Sequence, residues 1–536
     1  MTAHFRVLVA DAIALDGLEP LRADPRFELV VKPGLTGDAL ADAIADAHAV
    51  IVRSATQITR ASLSKAKSLR VIGRAGVGVD TIDVGAATER GIAVLTAPAG
   101  NTISAAELAF ALLLALVRRV PAADRSMKSG AWDRKSFSGT ELYGKTLGLV
   151  GAGRIGGEVA KRARAFGMQI IAYDPFLNAE RAAAMGFDLA PLDDVLRRAD
   201  VISLHVPLTE ATTGLLGERE LGLMKPTAVL VNAARGGIVP ESVLLEFLKA
   251  KRIAGAAIDV YEDEPLPADH ALRSLDNVVL TPHLGASTAE AQQNVALEIA
   301  DAVRSALVDG DLSRAVNAPS VGGDEMRRIR PLLDLATRLG VLGAGLAGGA
   351  LSRVEVRYCG AAESALRLLV ANVLTGALSS VTEPGTVNAV NALHLAGARG
   401  IEVEQVRLDA SGPYSERIEV RVTGSTSESR VAGALLGESH PRIVRIDDFH
   451  VDIVPRGTLL VLRNRDVPGV IGRVGTVLGD AGINIAEYHQ ARLGAGGEAL
   501  AAVSVDGRLG HELIETLGSL PEVWRVQQVH LDSSSR

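Results

Sequence analysis

A strand-like run at 147–150 leads directly into the glycine-rich turn GAGRIG at 151–156, which opens a helical stretch that reaches Phe166. The three glycines allow a tight bend, close approach of a ligand to the backbone, and close packing of the helix on the strand. Asp174 ends the next strand about 20 residues further on, where an acid binds the ribose hydroxyls of a dinucleotide. The combination predicts a parallel nucleotide-binding sheet. The acid favours NAD over NADP, because it would repel a 2′-phosphate.

Short runs rich in Val and Ile alternate with helical stretches through about the first 280 residues, which predicts an α/β fold with parallel sheets. Six evenly spaced runs between 145 and 282 match a doubly wound Rossmann domain. About 150 residues precede the glycine turn, so we expect the NAD domain to be inserted into a flavodoxin-like α/β substrate domain. That outer domain would be completed by a helix at 289–308 and a last strand at 315–318. The cleft between the two domains is the expected ligand site.

The remaining chain predicts two further domains. After a glycine-rich linker at 322–324, helices and strands at 354–358, 402–408 and 418–423 indicate an α+β intervening domain. The last 80 residues follow the order strand–helix–strand–strand–helix–strand, which is typical of a ferredoxin-like fold. The expected domains are 1–101 with 290–318 (substrate binding), 102–289 (NAD binding), 324–453 (intervening) and 456–532 (regulatory).

Composition excludes several classes of protein. A net charge of -7 without a long basic run argues against nucleic acid as a partner. The longest apolar stretch, at 108–117, is shorter than the roughly 20 residues needed to span a bilayer, and the first residues lack the apolar block of a signal peptide. Cys359 is the single cysteine, so neither an intrachain disulfide nor a cysteine-rich metal site is possible, and we expect no metal. A cytoplasmic location without membrane partners is expected.

A second segment, GAGLAG at 343–348, fits the same glycine pattern. The residues before it form a helical face that includes Leu332, Leu335 and Leu339, and no strand precedes it. A nucleotide turn requires a strand before the glycines. The segment is therefore interpreted as a glycine-rich helix connection.

Three polar residues follow successive strands of the predicted NAD sheet, at the edge where open α/β sheets bind ligands. Arg235 lies in NAARGG, Glu264 in DVYEDEP and His283 in TPHLGAST. A histidine suits removal of a hydroxyl proton because its ordinary pKa lies near 6.5, a carboxylate stabilises the resulting imidazolium, and an arginine grips a carboxylate. Each also has an ordinary alternative, namely a helix cap for Arg235, a solvated loop acid for Glu264 and a buried core histidine for His283. Their joint occurrence at successive strand ends favours catalysis.

The segments GLVGAGRIG, NAARGGIV, AGAAIDVYEDEP and TPHLGAST together resemble the D-isomer-specific 2-hydroxyacid dehydrogenases, over residues 1 to about 318. The resemblance implies that Arg235 binds the substrate and that Glu264 and His283 form the acid–base pair. It also implies a set of NAD contacts in the turns around the sheet, namely Val77, Gly151, Gly153, Arg154, Ile155, Gly156, Asp174, Val206, Ala233, Ala234, Asp259, Gly285 and Ala286.

The expected substrate site draws on RSAT at 53–56 and GRAGVG at 73–78. Backbone amides in a glycine-rich turn suit a carboxylate, and Arg53 and Arg74 could meet a phosphate, although the arginines could equally be solvated. These segments, with PAGNT and WDRK, are similar to the branch of the family that oxidises 3-phosphoglycerate. The substrate-binding residues implied are Arg53, Ser54, Arg74, Ala75, Gly76, Asn101, Arg134 and Lys135, the last two reaching toward a neighbouring subunit.

The C-terminal segment 458–530 resembles an ACT domain, a regulatory fold that binds amino acids between paired domains. DVPG at 466–469 and GINI at 482–485 match its ligand loop and the start of its second strand, although Pro-Gly is also ordinary turn chemistry. The resemblance implies that Asp466 and Asn484 bind an amino-acid effector, with L-serine as the candidate. Related domains carry an aromatic residue two positions before the aspartate, where this chain has Asn464. The region 324–453 is similar to the extra domain of the longer family members.

The resemblance as a whole implies a homo-oligomer, expected to be a tetramer, that uses NAD to oxidise 3-phosphoglycerate to 3-phosphohydroxypyruvate in the first step of L-serine biosynthesis. A glyoxylate or hydroxypyruvate reductase is the nearest alternative, although such enzymes normally lack the long C-terminal region. A non-catalytic NADH-sensing corepressor and a pure amino-acid-binding regulator are more distant ones. The sequence leaves open the choice of dimer or tetramer, the physiological direction, inhibition by serine, a 2-oxoglutarate side activity and the role of 324–453.

Overall fold

The computed structural model describes residues 4–360, 363–379, 381–383, 385–409, 414, 416–437 and 439–532. The strands of these residues form four sheets of five, seven, six and four strands. The first two sheets are wholly parallel, and the last two are mixed and antiparallel. Among the described residues, no helix combines the length and the apolar character that crossing a bilayer would require.

The first sheet has the order β2-β1-β3-β4-β5, which is the flavodoxin-like order. Its central strand, Ala49–Val52, is a continuous buried apolar run, as expected for a parallel strand covered on both faces. The strands are β1 Phe5–Val9, β2 Phe27–Val31, β3 Ala49–Val52, β4 Val71–Arg74 and β5 Ala93–Thr96, and the helices are α1 Glu19–Arg22, α2 Gly37–Ile44 and α3 Val84–Glu89, with a 3-10 turn at Leu15–Leu18.

The long apolar helix α4 Thr102–Val117 and the shorter α5 Val120–Lys128 lead into the second sheet, whose order is β12-β11-β10-β9-β6-β7-β8. This order is doubly wound, with the reversal between β6 and β9. The strands are β6 Thr146–Val150, β7 Gln169–Tyr173, β8 Asp188–Leu189, β9 Val201–Leu204, β10 Val229–Asn232, β11 Gly255–Ile258 and β12 Val278–Leu280. The helices between them are α6 Arg154–Ala165, α7 Ala179–Ala184, α8 Leu192–Arg198, α9 Glu218–Leu221 and α10 Glu241–Lys249, with a 3-10 turn at Ala271–Ser274. The sequence predicted six of these strands and missed the two-residue β8.

Helix α11, Ala289–Asp309, returns to the first sheet and packs on it through Val295, Ile299 and Val303. The predicted insertion of the nucleotide-binding unit into the first α/β unit is thus confirmed. The predicted last strand at 315–318 is wrong, because only one isolated bridge joins Leu95 to Ala315. The side chain of Asn317 accepts a hydrogen bond from the Val94 backbone at 2.8 Å, where a strand would use its own carbonyl.

The third unit packs two long helices on one face of a sheet with the order β14-β13-β15-β16-β17-β18. Its helices are α12 Gly323–Ala347, α13 Leu366–Leu378 and α14 Ala392–Ala398, with a 3-10 turn at Glu363–Ala365. Its strands are β13 Leu351–Cys359, β14 Glu402–Arg407, β15 Arg417–Gly424, β16 Glu428–Leu436, β17 His440–Ile446 and β18 Phe449–Ile453. The sequence missed β16 to β18. The predicted linker at 322–324 is wrong beyond Gly322, because α12 begins at Gly323.

The fourth unit has the βαββαβ order of a ferredoxin-like fold, and its sheet order is β20-β21-β19-β22. Its elements are β19 Thr458–Arg465, α15 Val470–Asp480, β20 Ile485–Arg492, β21 Glu498–Val505, α16 His511–Gly518 and β22 Val523–His530. One face of this sheet contributes Leu459, Val461 and Val529 to the core of the third unit, and the helices cover the other face. The predicted fold class, including the intervening and ferredoxin-like domains, is confirmed.

Candidate active site

The glycine turn joins β6 to α6 and forms a cradle of backbone amides. Gly151 adopts a φ of +94°, and a Cβ there would lie 2.8 Å from the His205 carbonyl. A Cβ on Gly153 would meet no atom within 4 Å, so this part of the turn faces open space, whereas a Cβ on Gly156 would lie 2.3 Å from the Gly151 oxygen. The tight bend, the open approach and the close helix packing all fit a dinucleotide pyrophosphate at the N-terminus of α6.

Asp174 lies directly after β7 and beside this turn. Its Oδ2 accepts a hydrogen bond from the Ala152 amide at 2.9 Å, and its Oδ1 accepts one from the Phe176 amide at 2.9 Å. Val206 follows β9, and its Cγ1 lies 2.9 Å from the Cβ position of Gly151. The other predicted NAD contacts lie in the first turn of α6 (Arg154, Ile155), in the turns after β10 and β12 (Ala233, Ala234, Gly285, Ala286) and, across the cleft, after β4 (Val77).

Asp259 follows β11 and organises the turn after β12. Its fully buried carboxylate accepts hydrogen bonds from Thr281 Oγ1 at 2.6 Å, the Leu284 amide at 2.8 Å and the Gly285 amide at 3.0 Å. Burial raises the pKa of Asp259, and these hydrogen bonds oppose that shift. The turn holds His283 at a φ of +55°, a left-handed conformation that is uncommon outside glycine. Such backbone strain persists where the surrounding structure imposes it, and it clusters at functional sites.

His283 and Glu264 are in direct contact, as the sequence interpretation requires. The distance between His283 Nδ1 and Glu264 Oε2 is 2.7 Å, and the other carboxylate oxygen accepts a hydrogen bond from the Tyr261 amide at 3.1 Å. Tyr261 is itself buried and donates its hydroxyl to the Thr281 carbonyl at 2.9 Å. Because an ionised carboxylate only accepts, Nδ1 carries the proton in this pair, and Nε2 is the basic nitrogen.

Arg235 lies in the turn after β10, and this turn touches the loop that carries Glu264. A Cβ on Gly236 would lie 1.9 Å from the Tyr261 oxygen, so only glycine allows the two backbones to meet. The Asn232 side chain braces the arginine turn by donating to the Arg235 carbonyl at 3.0 Å. The structure thus places all three predicted catalytic residues in adjoining loops at one edge of the sheet.

Across the cleft, Arg53 follows β3 and Arg74 ends β4, both at the carboxyl edge of the first sheet. Desolvation lowers the pKa of Arg74 to about 10, and repulsion from Arg53 and Arg235 adds to the effect. A small cavity between the domains is lined by residues that include Arg53, Ala75, Gly76 and Ala286. Positive charge from both domains is therefore concentrated in the cleft, which suits an anionic ligand.

Asn101 is the N-cap residue of α4, and its Oδ1 is buried without a hydrogen-bond partner among the described residues. The hydroxyls of Thr102 and Ser104 are in the same condition in that part of the chain. The sequence interpretation did not single out either hydroxyl, although three polar residues at the start of a largely apolar helix were the available signal. It also missed Asp11, whose carboxylate accepts hydrogen bonds from the Arg53 and Thr56 amides and shapes the 53–56 turn.

Arg134 and Lys135 lie in an exposed segment away from the cleft of their own chain. The Arg119 side chain donates to the Ser136 carbonyl at 3.0 Å, which holds this segment near the C-terminal end of α4. Asn101 lies at the other end of that 16-residue helix, roughly 24 Å away at 1.5 Å per residue. Ser54, by contrast, is exposed beside Arg53 at the cleft.

The two predicted effector residues are not neighbours within one chain. Asp466 Oδ2 accepts hydrogen bonds from the Gly496 amide at 3.3 Å and from Arg492 at 3.4 Å, near the start of β21. Asn484 donates to Asp506 at 2.9 Å, beyond the end of β21. The eight residues of that strand separate the two by roughly 27 Å. Asn464 is buried and accepts a hydrogen bond from Gln490 at 3.4 Å.

The inserted nucleotide sheet, its glycine cradle and the imidazole–carboxylate pair define a nicotinamide-dependent dehydrogenase of the 2-hydroxyacid class. Residues 110–285 match the family model "D-isomer specific 2-hydroxyacid dehydrogenase, NAD binding domain". Residues 328–447 match the "D-3-phosphoglycerate dehydrogenase intervening domain", and residues 458–522 match the ACT domain.

Similarity to curated proteins extends over almost the whole chain. A D-3-phosphoglycerate dehydrogenase of Archaeoglobus fulgidus is 42% identical over 98% of this chain and 100% of its own length, and one of Bacillus subtilis is 41% identical over the same shares. A solved glyoxylate reductase from Paecilomyes thermophila is 32% identical, with a TM-score of 0.54, and covers 59% of this chain and 99% of its own. The chain belongs to the D-3-phosphoglycerate dehydrogenase family.

Proposed function

We propose that this chain oxidises D-3-phosphoglycerate to 3-phosphohydroxypyruvate with NAD, as the first step of L-serine biosynthesis. The observation that carries the proposal is the 2.7 Å contact between His283 and Glu264, at the edge of the nucleotide sheet and facing a cleft with three arginines. The relatives that bear this enzyme's name match the entire architecture, including the two C-terminal domains. The glyoxylate reductase stops short of those domains, at 59% of this chain.

His283 acts as the general base. Nε2 takes the proton of the C2 hydroxyl as the C2–H bond breaks, and the carbon–oxygen double bond forms from the electrons of the O–H bond. The glycine turn and Asp174 would hold NAD, which would supply the acceptor for the hydride that leaves C2. Glu264 holds the imidazole in the tautomer with the proton on Nδ1 and stabilises the imidazolium that forms, because its carboxylate lies 2.7 Å away.

Arg235 binds the carboxylate of the substrate, and the first domain binds the phosphate. A guanidinium matches a carboxylate or phosphate with two parallel hydrogen bonds. Arg53 and Arg74 supply the phosphate contacts of the first domain, next to Ser54 and Asn101. Ala75 and Gly76 line the same cavity, but their amides donate to the Val52 carbonyl at 2.8 Å and the Arg74 carbonyl at 2.7 Å, so these two residues shape the site and do not offer free amides to the ligand. Arg134 and Lys135 serve the cleft of a neighbouring subunit, since they are remote from their own.

Asp174 makes NAD the preferred cofactor. Two backbone amides fix its carboxylate beside the glycine cradle, where the adenosine ribose of a dinucleotide lies. A 2′-phosphate at that position would meet a negative charge with no arginine hydrogen-bonded to it among the described residues. The 2′-hydroxyl of NAD would instead donate a hydrogen bond to it.

The ACT domain binds an amino-acid effector, with L-serine as the candidate, at a site that two copies complete. Asp466 and Asn484 lie at opposite ends of β21 in one chain, so a single ligand can touch both only if they come from different copies. This arrangement supports a homo-oligomer, and we propose a tetramer. Serine titration followed by calorimetry and by analytical ultracentrifugation tests both statements.

Substrate choice and the catalytic base are tested together. NADH formation is measured with 3-phosphoglycerate, glycerate and lactate, for the natural chain and for His283→Ala. We expect turnover with 3-phosphoglycerate to exceed that with the other acids, and the variant to lose turnover by about 1000-fold while it binds NADH normally. Full turnover by His283→Ala would remove the base assignment, and a preference for glyoxylate in the reverse direction would favour the reductase.

A further inference from the structure

Asp80 lies in the turn after β4 and forms an ion pair across the cleft. Its Oδ2 is 3.5 Å from Nε of Arg235, which belongs to the nucleotide domain. The pair joins a loop of the first domain to the predicted substrate-binding arginine of the other. The sequence interpretation gave Asp80 no role.

The turn that carries Asp80 is shaped to receive the arginine. A Cβ on Gly78 would lie 2.2 Å from Arg235 Nη2 and 2.5 Å from Asp80 Oδ2, so both side chains lie against the bare backbone of this glycine. On its other side the turn is anchored by Arg74, whose Nε donates to the Gly78 carbonyl at 2.8 Å. The position of Asp80 therefore depends on Arg74, which is also one of the arginines proposed to bind the phosphate.

The guanidinium of Arg235 is held at two of its nitrogens. Nη1 donates to the Ala234 carbonyl at 2.6 Å, and Nε faces Asp80. Among the described residues these are the contacts that fix the plane of the fork, and they leave the donors of Nη2 for a ligand. A planar fork gains its specificity for carboxylates only when its plane is fixed.

We propose that Asp80 is a positioning residue that orients Arg235 to bind the carboxylate of the substrate. The proposal rests on the proposed function, in which Arg235 makes that contact. The contact that Asp80 makes across the cleft is with Arg235, so in this proposal it acts on substrate affinity through the arginine. The same ion pair joins the two domains across the cleft.

Asp80→Asn tests the proposal, because it removes the charge and keeps the size. The Asp80 side chain is 63% exposed, so the ion pair adds little to stability and the variant should fold normally. We expect KM for 3-phosphoglycerate to rise by about tenfold, kcat to change less than about threefold, and NADH affinity to stay the same. Asp80→Glu, which restores the charge, should recover much of the loss.

Asp46→Asn is the matched control. Asp46 is another exposed aspartate of the first domain, 3.9 Å from Arg6, but it precedes β3 and lies at the opposite edge of the sheet. Its loss should leave KM and kcat unchanged. An equal rise in KM in both variants would show a general effect of surface charge and would overturn the proposal.

A double variant with Arg235→Lys tests the positioning role of Asp80 separately from the substrate-binding role of Arg235. If Asp80 acts through Arg235, Asp80→Asn should raise KM in the natural chain and have no further effect in the Arg235→Lys background. An additive rise in KM would overturn the positioning role, as would an unchanged KM in the single variant. If Arg235→Lys itself leaves KM unchanged, the substrate-binding role of Arg235 fails, and the positioning role falls with it.

Discussion

The turn at 151–156 and the segment at 343–348 have glycine at the same three relative positions but differ in structure. The first is a turn between β6 and α6, with a positive φ at Gly151 and open space above Gly153. The second forms the last turns of α12 and ends at Gly348. The glycine spacing is thus compatible with two different backbones, and the residues before it decide which one forms.

Glycines in α12 and in its neighbour α13 allow close contact between packed elements. A Cβ on Gly340 would lie 2.0 Å from the Val373 oxygen, and one on Gly376 would lie 1.9 Å from the Thr337 oxygen, so α12 and α13 meet backbone to backbone. Gly343 lies under Val422 of β15, where a Cβ would be 2.8 Å from its Cγ2. In the cofactor turn, Gly153 faces open space that a ligand can occupy. In α12, the space left by the missing side chains is filled by neighbouring elements of the protein.

The largest expected difference between the two regions is in cofactor binding. Gly156→Val would place side-chain atoms where a Cβ alone lies 2.3 Å from the Gly151 backbone oxygen, so the turn itself must shift. Overpacking of this kind costs about 1–3 kcal/mol, and we expect NADH affinity to fall by up to roughly 100-fold. Titration of NADH fluorescence measures the loss.

The neighbouring Gly157 provides the control for this variant. A Cβ there would lie 3.3 Å from Met185 Cε, the flexible end of a side chain that can move aside. Gly157→Ala should therefore bind NADH within about twofold of the natural chain. If Gly156→Val also binds normally, the turn is not the pyrophosphate site.

His205 follows β9 and lies against the cofactor turn, and it makes the stability of the nucleotide domain depend on pH. Burial lowers the pKa of His205 from 6.5 to about 4, and its Nε2 lies 2.9 Å from Ser203 Oγ. Between these two values the unfolded chain binds a proton that the folded chain does not, so stability falls as pH drops from 6.5 to 4. We expect a loss of about 2 kcal/mol over this range, because the residue is partly exposed and solvent reduces the cost of charging the imidazole.

Chemical denaturation at a series of pH values measures this loss for the natural chain and for His205→Gln, which cannot be protonated. The part of the slope between pH 6.5 and 4 that belongs to His205 should be absent from the variant. An identical slope in both would show that His205 takes up its proton in the folded chain.

A substitution at Asp174 is expected to have a smaller effect, on the choice between NAD and NADP. Asp174→Asn removes the charge beside the cradle but keeps an oxygen that can accept from the Ala152 amide. Loss of one repulsion of about 1 kcal/mol or more should shift the ratio of kcat/KM for NADP over NAD by about tenfold toward NADP. Steady-state assays with both cofactors measure the ratio. An unchanged ratio would mean that another group excludes the 2′-phosphate.

The sequence predicted the parallel sheets well, because buried parallel strands are continuous apolar runs such as Ala49–Val52 and Val201–Leu204. It missed three consecutive antiparallel strands within residues 428–453. In β17 and β18, charged or polar residues interrupt the apolar ones, and in β16 the apolar run at 431–436 is made largely of Ala, Gly and Leu, of which Ala and Gly are depleted in strands. The predicted strand at 315–318 was wrong for a different reason. The side chain of Asn317 accepts the hydrogen bond from Val94 that a backbone carbonyl would accept in a strand ladder.

For the candidate site, sequence order could place Arg235, Glu264 and His283 at one sheet edge, because all three follow parallel strands. It could not find partners that come from another part of the chain. Asp259 is an example, since its three hydrogen bonds to the 281–285 turn depend on how β11 and β12 align. Asp80 is another, because its contact with Arg235 exists only once the two domains face each other.

A substitution in the segment at 343–348 is expected to have the smallest effect on cofactor binding. This substitution tests the comparison between the two glycine segments most directly. A Cβ on Gly345 would lie 2.8 Å from Val529 Cγ2, at the contact between α12 and β22 of the ACT domain. Gly345→Val should leave NADH affinity unchanged and lower stability by about 1–3 kcal/mol, seen as a lower midpoint in denaturant. Fluorescence titration of NADH on the same sample checks the first part. A loss of NADH affinity in a folded Gly345→Val protein would mean that glycine spacing, without a preceding strand, is enough to form a nucleotide site.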